Sequence, residues 1–170
     1  SDVCSSDLNK SYVQKALSQA MEYQRKLNDK NYLFVKRLAE SGIPVVDSNI
    51  EGANGDSDKY HDTKVVVRSY GDYSQATLQV SGKDILFIEF GSGIYYNPSD
   101  TPHAKEFGYG IGTYNPNSGN AFNPDGWYYR DDSGAIQHSY GTEATMPMLK
   151  ASNEIINNIR RIAREVYGSD

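Results

Sequence analysis

A carboxylate inside the most apolar run of the chain is the first candidate for chemistry. The segment FIEFGSGIYYN, residues 87–97, places Glu89 among isoleucine and phenylalanine and closes the run with glycines. A carboxylate beside apolar side chains must accept hydrogen bonds or be neutralised. Glu89 has no sequence neighbour that supplies the second carboxylate of an acid–base pair. We therefore predict that Glu89 is a structural anchor satisfied near Gly91 and Gly93, rather than a catalytic acid.

The histidines and the catalytic motifs give little support for an enzyme. His61, His103 and His138 are separated by long intervals and fall in predicted loops or hairpins. The motifs HExxH, CxxC and Gly-x-Ser-x-Gly do not occur in the sequence. A Ser-His-Asp triad is always available on paper from so many serines and aspartates. The sequence predicts no catalytic residue, and a hydrolase would first show itself as a pocket joining Glu89 to His103 or His138.

Two polar loops resemble ligand sites without fitting one. Residues 51–63, EGANGDSDKYHDT, lack the central glycine and the closing glutamate of a calcium loop. Residues 108–114, GYGIGTY, precede no helix-forming stretch that would receive a phosphate. We therefore expect solvated loops, no metal site and no cofactor. The side chains of the first loop that a divalent ion accepts as ligands are Asp56, Asp58, His61 and Asp62.

Composition and charge restrict the class of protein. The 170 residues suffice for one domain with its own core. A net charge of −5 argues against non-specific binding to nucleic acid. The longest apolar run, residues 85–88, is too short to span a membrane, and no basic-plus-apolar signal opens the chain. One cysteine allows no intrachain disulfide, and fourteen tyrosines suit contact surfaces that are partly wet.

The first eight residues resemble a translated cloning or sequencing tag. SDVCSSDL back-translates to TCA-GAC-GTG-TGC-TCT-TCC-GAT-CT, which looks like the end of a common short-read sequencing adapter. We therefore predict that residues 1–8 are a translated artefact and that the authentic N-terminus is missing. Residues 9–170 are then predicted to form a single domain.

Long helices are predicted at both ends of the chain. Residues 9–42 carry an apolar stripe at helical spacing, and the sequence fits either one continuous helix or a helix broken at Asn28-Asp29. Pro44 is able to start a further turn. Pro147 is predicted as the first residue of a terminal helix. The apolar stripe of the first helix comprises Val13, Ala16, Leu17, Ala20, Tyr23 and Leu27. The apolar face of the terminal helix includes Ile155, Ile159 and Ile162 and is expected to pack on a sheet.

Strands and one long loop are predicted between these helices. KVVVRSY with ATLQVSG, and GWYYR with AIQHSYG, read as two antiparallel hairpins. Residues 85–90 fit either a short helix or a third strand. The predicted fold is α+β, an antiparallel sheet packed against the two long helices. Residues 95–125 form a long Tyr/Gly-rich loop of a kind that is usually functional. Its neighbourhood supplies our candidate partner contacts: Tyr95, Tyr96, His103, Phe107, Tyr109, Tyr114 and Trp127.

Five segments, in order, resemble the gene-product-ten-like putative tail-component family of tailed bacteriophages and prophages. They are YQRKLNDKNYLFVKRLAESGIPVV, LFIEFGSGI, HAKEFGYGIGTY, the Trp-Tyr hairpin, and HSYGTEATMPMLKA ahead of IAREVYG. The resemblance covers the chain from about Ser11 to its end. Ser92 departs from the family pattern, which usually has threonine there, and Gly42-Ile43-Pro44 falls where the family's helix usually continues.

The resemblance implies a non-enzymatic virion protein that completes the tail or joins it to the head. Such a protein is expected to form a homo-oligomeric ring in the neck, beside tail-terminator, tail-tube or head-closure proteins. It would be located in the virion, and in the host cytoplasm during assembly, with no specific binding to nucleic acid or membrane. A carbohydrate-binding module is the alternative, and it would need exposed Tyr and Trp rings in a flat, open platform.

Overall fold

The computed structural model describes residues 3–55, 57–95, 104–107 and 124–168. The chain folds as α+β, with long helices at both ends and short strands between them, which confirms the predicted class. Two 3-10 helices, Gly93–Tyr95 and Ala104–Phe107, follow the short α-helix Ile85–Phe90. The helices and strands are α1 Val3–Glu40, α2 Ile43–Glu51, β1 Asp62–Ser69, β2 Ser74–Ser81, α3 Ile85–Phe90, β3 Trp127–Arg130, β4 Ile136–Ser139 and α4 Pro147–Tyr167.

Helix α1 is continuous over 38 residues, so the break considered at Asn28-Asp29 does not occur. At a rise of about 1.5 Å per residue it is about 57 Å long. The chain then turns at Gly42 into α2, where Pro44 stands in the first turn. A Cβ on Gly42 would lie 2.8 Å from Leu78 Cδ2 and 3.1 Å from Ile155 Cδ1. Glycine is therefore needed where this turn passes between the first hairpin and α4.

The strands form two separate antiparallel sheets of two strands each within the described residues. Strands β1 and β2 pair from Asp62↔Ser81 to Ser69↔Ser74, and β3 and β4 pair from Trp127↔Ser139 to Arg130↔Ile136. Both hairpins lie where the sequence predicts them. Residues 85–90 form the helix α3, which decides between the two structures that the sequence leaves open.

The core lies where α2, α3 and α4 meet. It is built from Val46, Ile50, Ala53, Ile85, Ile88 and Ala151, with Leu78 and Val80 of the first hairpin packed against it. Helix α4 contacts α1, α2 and α3, while the first hairpin packs mainly on α1. The predicted partner of the terminal helix, a sheet, is thus largely replaced by other helices.

The inner face of α4 differs from the one predicted. Ala151, Ile162 and Val166 are buried, whereas Ile159 is 41% exposed. The expectation that Ile159 faces the interior is therefore wrong. Ile156 is also exposed, so α4 carries apolar residues on two sides, and periodicity alone does not distinguish the two.

The N-terminal half of α1 has no partner within the described part of the chain. All residues from 10 to 27 are exposed, including Val13, Leu17 and Met21 at 65%, 60% and 62%. The expectation that this apolar stripe packs on the sheet is therefore wrong. We call residues 10–27 the α1 extension.

No helix in the described ranges combines the length and the apolar character that a membrane span requires. The prediction that residues 1–8 are an adapter artefact is untested by the fold.

Candidate functional site

Glu89 binds the beginning of α4. Its Oε2 accepts a hydrogen bond of 2.8 Å from the Met148 N–H, and its Oε1 accepts one of 3.2 Å from the Leu149 N–H. These two N–H groups are the ones that an N-cap side chain normally satisfies. Glu89 lies in α3, about sixty residues earlier in the chain, and its side chain is only 9% exposed. The carboxylate therefore acts as a remote cap that fastens α4 to α3.

The start of α4 explains why a remote acceptor is needed. Met146 occupies the N-cap position, and its side chain makes no capping hydrogen bond. Its backbone is left-handed, with φ of +52° and ψ of +52°, the single positive φ at a non-glycine residue in the described ranges. Such a conformation in a bulky residue persists only when its surroundings impose it. Pro147, which we predict as a structural anchor, follows as the first helical residue, where the sequence places it, and it is buried.

A network of hydrogen bonds holds the segment before α4. Ser92 N–H donates to the Thr142 carbonyl at 2.9 Å, and Thr142 N–H donates to Ser92 Oγ at 2.8 Å. Thr145 N–H donates to the Ile88 carbonyl at 2.9 Å, and its hydroxyl donates to the Asn49 carbonyl at 2.9 Å. The segment is thus bound to both α3 and α2. We call this region, residues 88–93 with residues 139–149, the Glu89 junction.

Three glycines allow the junction to close. Gly91 and Gly93 have φ of +75° and +61°, and Gly141 has φ of +98°. A Cβ on Gly141 would lie 2.3 Å from the Ser92 carbonyl oxygen, and one on Gly93 would lie 2.6 Å from the Trp127 ring. The glycine-rich end of FIEFGSG therefore brings two backbones and an indole into contact. The anchoring residues predicted from the sequence, Gly91 and Gly93, both belong to this junction.

The electrostatics of Glu89 follow from its position. Burial raises the pKa of the Glu89 carboxyl above its ordinary value, while the N–H groups of Met148 and Leu149 and the nearby Lys150 act in the opposite direction. Both carboxylate oxygens are occupied by backbone donors. This geometry supports anchoring over proton transfer, although the sequence analysis expected the partners to lie near Gly91 and Gly93. The signal that would have found them is Met146-Pro147, a helix start that lacks its own capping oxygen.

The polar loop around His61 uses its side chains for internal contacts. His61 Nδ1 lies 2.8 Å from the Lys59 carbonyl oxygen, and Nε2 lies 3.1 Å from Asp47 Oδ1. The bond to the Lys59 carbonyl is the chief cause that raises the pKa of His61, and Asp47 adds to it. Among the described residues, no three His, Cys, Asp or Glu side chains form a group able to hold a metal ion. Asp56 lies outside those residues.

The predicted partner contacts are only partly described. Tyr95 ends a 3-10 helix and is 45% exposed, and Trp127 begins β3, half-buried against Gly93. Phe107 ends the second 3-10 helix. Four of the predicted contacts lie outside the described residues: Tyr96, His103, Tyr109 and Tyr114.

Three aromatic rings of the second hairpin, of which Tyr128 and Tyr140 are exposed, stand at steep angles to one another. The ring centroids of Tyr128 and His138 are 4.6 Å apart with planes at 53°, and those of His138 and Tyr140 are 4.5 Å apart at 84°. Sugar rings stack on open, flat aromatic faces. These three rings do not form the platform that the carbohydrate-binding alternative requires.

A pocket on the first hairpin is small. It has a volume of about 90 Å³ and is lined by Val66, Arg68, Gln75, Thr77 and Gln79. Pockets for small-molecule ligands usually measure about 300 Å³ or more. Neither Glu89 nor a histidine lines it.

Comparison of the chain with protein-family models, curated proteins and solved structures finds no match.

Proposed function

We propose that the chain is a non-enzymatic structural subunit of a tailed-phage virion. In this proposal it completes the tail or joins it to the head, as a homo-oligomeric ring in the neck. Its neighbours would be tail-terminator, tail-tube or head-closure proteins, and it would reach the virion from the host cytoplasm. The five segments that resemble the tail-component family are the basis for this assignment, and the exposed α1 extension supports assembly into an oligomer.

The observation that carries the proposal is the exposed apolar face of the α1 extension. Val13, Leu17 and Met21 present well over half of their surface to solvent, on a helix that projects past its own core. Contiguous apolar surface of this kind marks an interaction site in a folded protein. Most helical stability in proteins comes from tertiary packing, which the α1 extension lacks within the described residues. Both points favour a subunit that completes its packing in an assembly.

The Glu89 junction supports a structural role for the most unusual sequence motif. A carboxylate with both oxygens engaged by backbone N–H groups holds two helices together. The segment FIEFGSG then serves folding, and it leads directly into the Tyr/Gly-rich loop that we propose as a contact surface. The acidic net charge of −5 is compatible with a ring that does not retain passing DNA.

Deletion and complementation in a phage that encodes the chain tests the proposal. Deletion should leave filled heads and unattached tails in electron micrographs, and the wild-type gene supplied in trans should restore joined particles. Mass spectrometry of purified virions should detect the protein. Normal phage yield after deletion, or retention of a monomer on glycan resin, would refute the assignment.

A further inference from the structure

The line of apolar residues on α1 runs past the end of its partner helix. Val13, Ala20, Leu27 and Phe34 follow at intervals of seven residues and therefore lie on one side of the helix. Phe34 packs against Tyr167, with ring centroids 5.5 Å apart. Tyr167 is the last residue of α4. The same side of α1 is thus a packed interface at Phe34 and continues as exposed surface through the α1 extension.

The shape of this surface fits a protein partner. Ala16 and Ala20 lie between the larger side chains of Val13, Leu17 and Leu27, and both alanines are exposed. Small residues flanked by large ones form a depression that receives a bulky side chain of a facing element. A helix that inserts into lipid instead relies on large apolar side chains along its whole face.

The charge of the α1 extension selects among partners. Residues 10–27 contain four Lys or Arg and one Glu, a net charge of +3 on a chain whose total is −5. Pairing this segment with the same segment of another copy would bring two +3 helices together, which is unfavourable. The favourable partner surface is acidic and carries exposed apolar side chains.

The second hairpin of the same chain has both properties. Residues 124–143 contain four acidic residues and one Arg, a net charge of −3. By the pairing register, Tyr128, Arg130, Ile136 and His138 share one face, which we call the hairpin face. Tyr128 is 75% exposed and Ile136 is 64% exposed. Lys83 pairs with Asp132 at 2.6 Å, which leaves the hairpin together with Lys83 at a net charge of −2. The face itself carries Arg130 and no carboxylate, and the acidic side chains of Asp131 and Asp132 lie at its end, between β3 and β4.

We propose that the α1 extension of one copy docks on the hairpin face of a second copy of this chain. Both surfaces are exposed in the single chain, so they do not satisfy each other within it. Where each copy uses its two surfaces on two different neighbours, the contact is heterologous, and repetition of it produces a ring or an open chain. The proposal rests on the proposed function, for which it supplies the contact between subunits.

Two single substitutions test the two surfaces independently. Leu17→Asp places a charge in the α1 extension, and Ile136→Asp places one on the hairpin face. Both residues are exposed in the single chain, so each variant should still unfold cooperatively, with a melting temperature close to that of wild-type protein diluted until it is monomeric. Each variant should change from oligomer to monomer in native mass spectrometry at a concentration where the wild type assembles. Ser18→Asp adds the same charge beside Leu17 but away from the apolar line, and it should keep the oligomer.

Mixing the two monomeric variants gives the sharpest test. Leu17→Asp retains an intact hairpin face, and Ile136→Asp retains an intact α1 extension. A mixture should therefore form a one-to-one heterodimer through one good contact and should not extend further. The double variant should bind neither. A mixture that stays monomeric would overturn the proposal, and so would a monomeric wild type.

Other occupants give different results, each of which overturns the proposal. Pairing of α1 with α1 would leave Ile136→Asp oligomeric. Lipid binding would appear as co-sedimentation of a monomeric wild type with vesicles containing phosphatidylserine. The two proposals also fail separately. If virions contain the protein but its oligomer is insensitive to Leu17→Asp, the docking alone is contradicted. If the predicted heterodimer forms but virions lack the protein, the virion assignment alone is contradicted.

Discussion

The Glu89 junction satisfies its polar groups inside the chain, whereas the α1 extension leaves apolar side chains exposed to solvent. At the junction, every polar group named above has a partner inside the chain, and the glycines bring backbones into direct contact. On the α1 extension, apolar side chains stand in solvent on the same helix side that packs on α4 further along. This chain therefore closes its own core at one end and leaves apolar side chains exposed to solvent at the other.

Paired truncations should give the largest contrast. Ile162 is 3% exposed on the inner face of α4, and Leu17 is 60% exposed on the α1 extension. Ile162→Ala should lower the free energy of unfolding by about 3 kcal/mol, because it leaves a cavity. Leu17→Ala should change it by less than about 0.5 kcal/mol. Urea unfolding in the Ile136→Asp background, where the proposed contact between copies is removed, measures both. Equal losses would mean that the α1 extension belongs to the core.

A glycine pair tests how tightly the junction is closed. Gly141 and Gly134 have φ of +98° and +83°, but a Cβ would meet the Ser92 carbonyl at 2.3 Å in the first and nothing within 4 Å in the second. Gly134→Ala should cost about 1 kcal/mol of unfolding free energy from backbone strain alone. Gly141→Ala should cost about 3 kcal/mol, because backbone must also move. Similar melting temperatures for the two variants would contradict the close approach.

Removing the remote cap should cost somewhat less. Glu89→Ala leaves the N–H groups of Met148 and Leu149 without their acceptor and should lower the unfolding free energy by about 2 kcal/mol. The exposed Glu40 on α1 provides the control, since Glu40→Ala should change it by less than about 0.5 kcal/mol. Hydrogen exchange of the first turn of α4 should accelerate in the Glu89 variant alone. An unchanged rate there would contradict the capping role.

The smallest effect is expected from His61, outside both regions. Its pKa is raised in the folded protein by the Lys59 carbonyl and by Asp47. A group with a raised pKa contributes stability in full below its unfolded pKa of about 6.5, and that contribution is lost as pH rises through the folded value. The melting temperature of the wild type should exceed that of His61→Gln at about pH 5.5 and converge with it by about pH 8.5. A constant difference would mean that the His61 contacts are independent of its charge. Asp47→Asn should reduce the pH dependence.

Local sequence patterns predicted where helices and strands lie better than they predicted which of these elements pack together. The hairpins, Pro147 as a helix start and the α+β class follow from alternation, turn residues and helical periodicity. Ile159 was misplaced because α4 has apolar residues on two sides, and only the position of α1 and α2 determines which side is buried. The hydrogen-bond donors to Glu89 are equally non-local. Its role as an anchor follows from its apolar surroundings, but its partners lie about sixty residues away and depend on the packing of α3 against α4.

The exposure of the α1 extension could also not be predicted from the sequence. The stripe from Val13 to Leu27 has the same pattern whether it packs within the chain or between chains. The decisive fact is a length: α4 ends at Tyr167, opposite Phe34, while α1 continues for more than four further turns. Such a mismatch appears only when the two helices are placed side by side.

Amide hydrogen exchange on the wild-type protein and on Ile136→Asp shows whether a second copy covers the α1 extension, because the α1 extension has the same sequence in both. If the α1 extension docks on a second copy, we expect peptides covering residues 10–24 to exchange slowly in the wild-type oligomer and much faster in the Ile136→Asp monomer. Peptides covering residues 142–152, at the Glu89 junction, should exchange equally slowly in both. Equal protection of residues 10–24 in the two proteins would show that the α1 extension needs no second copy and would contradict the account.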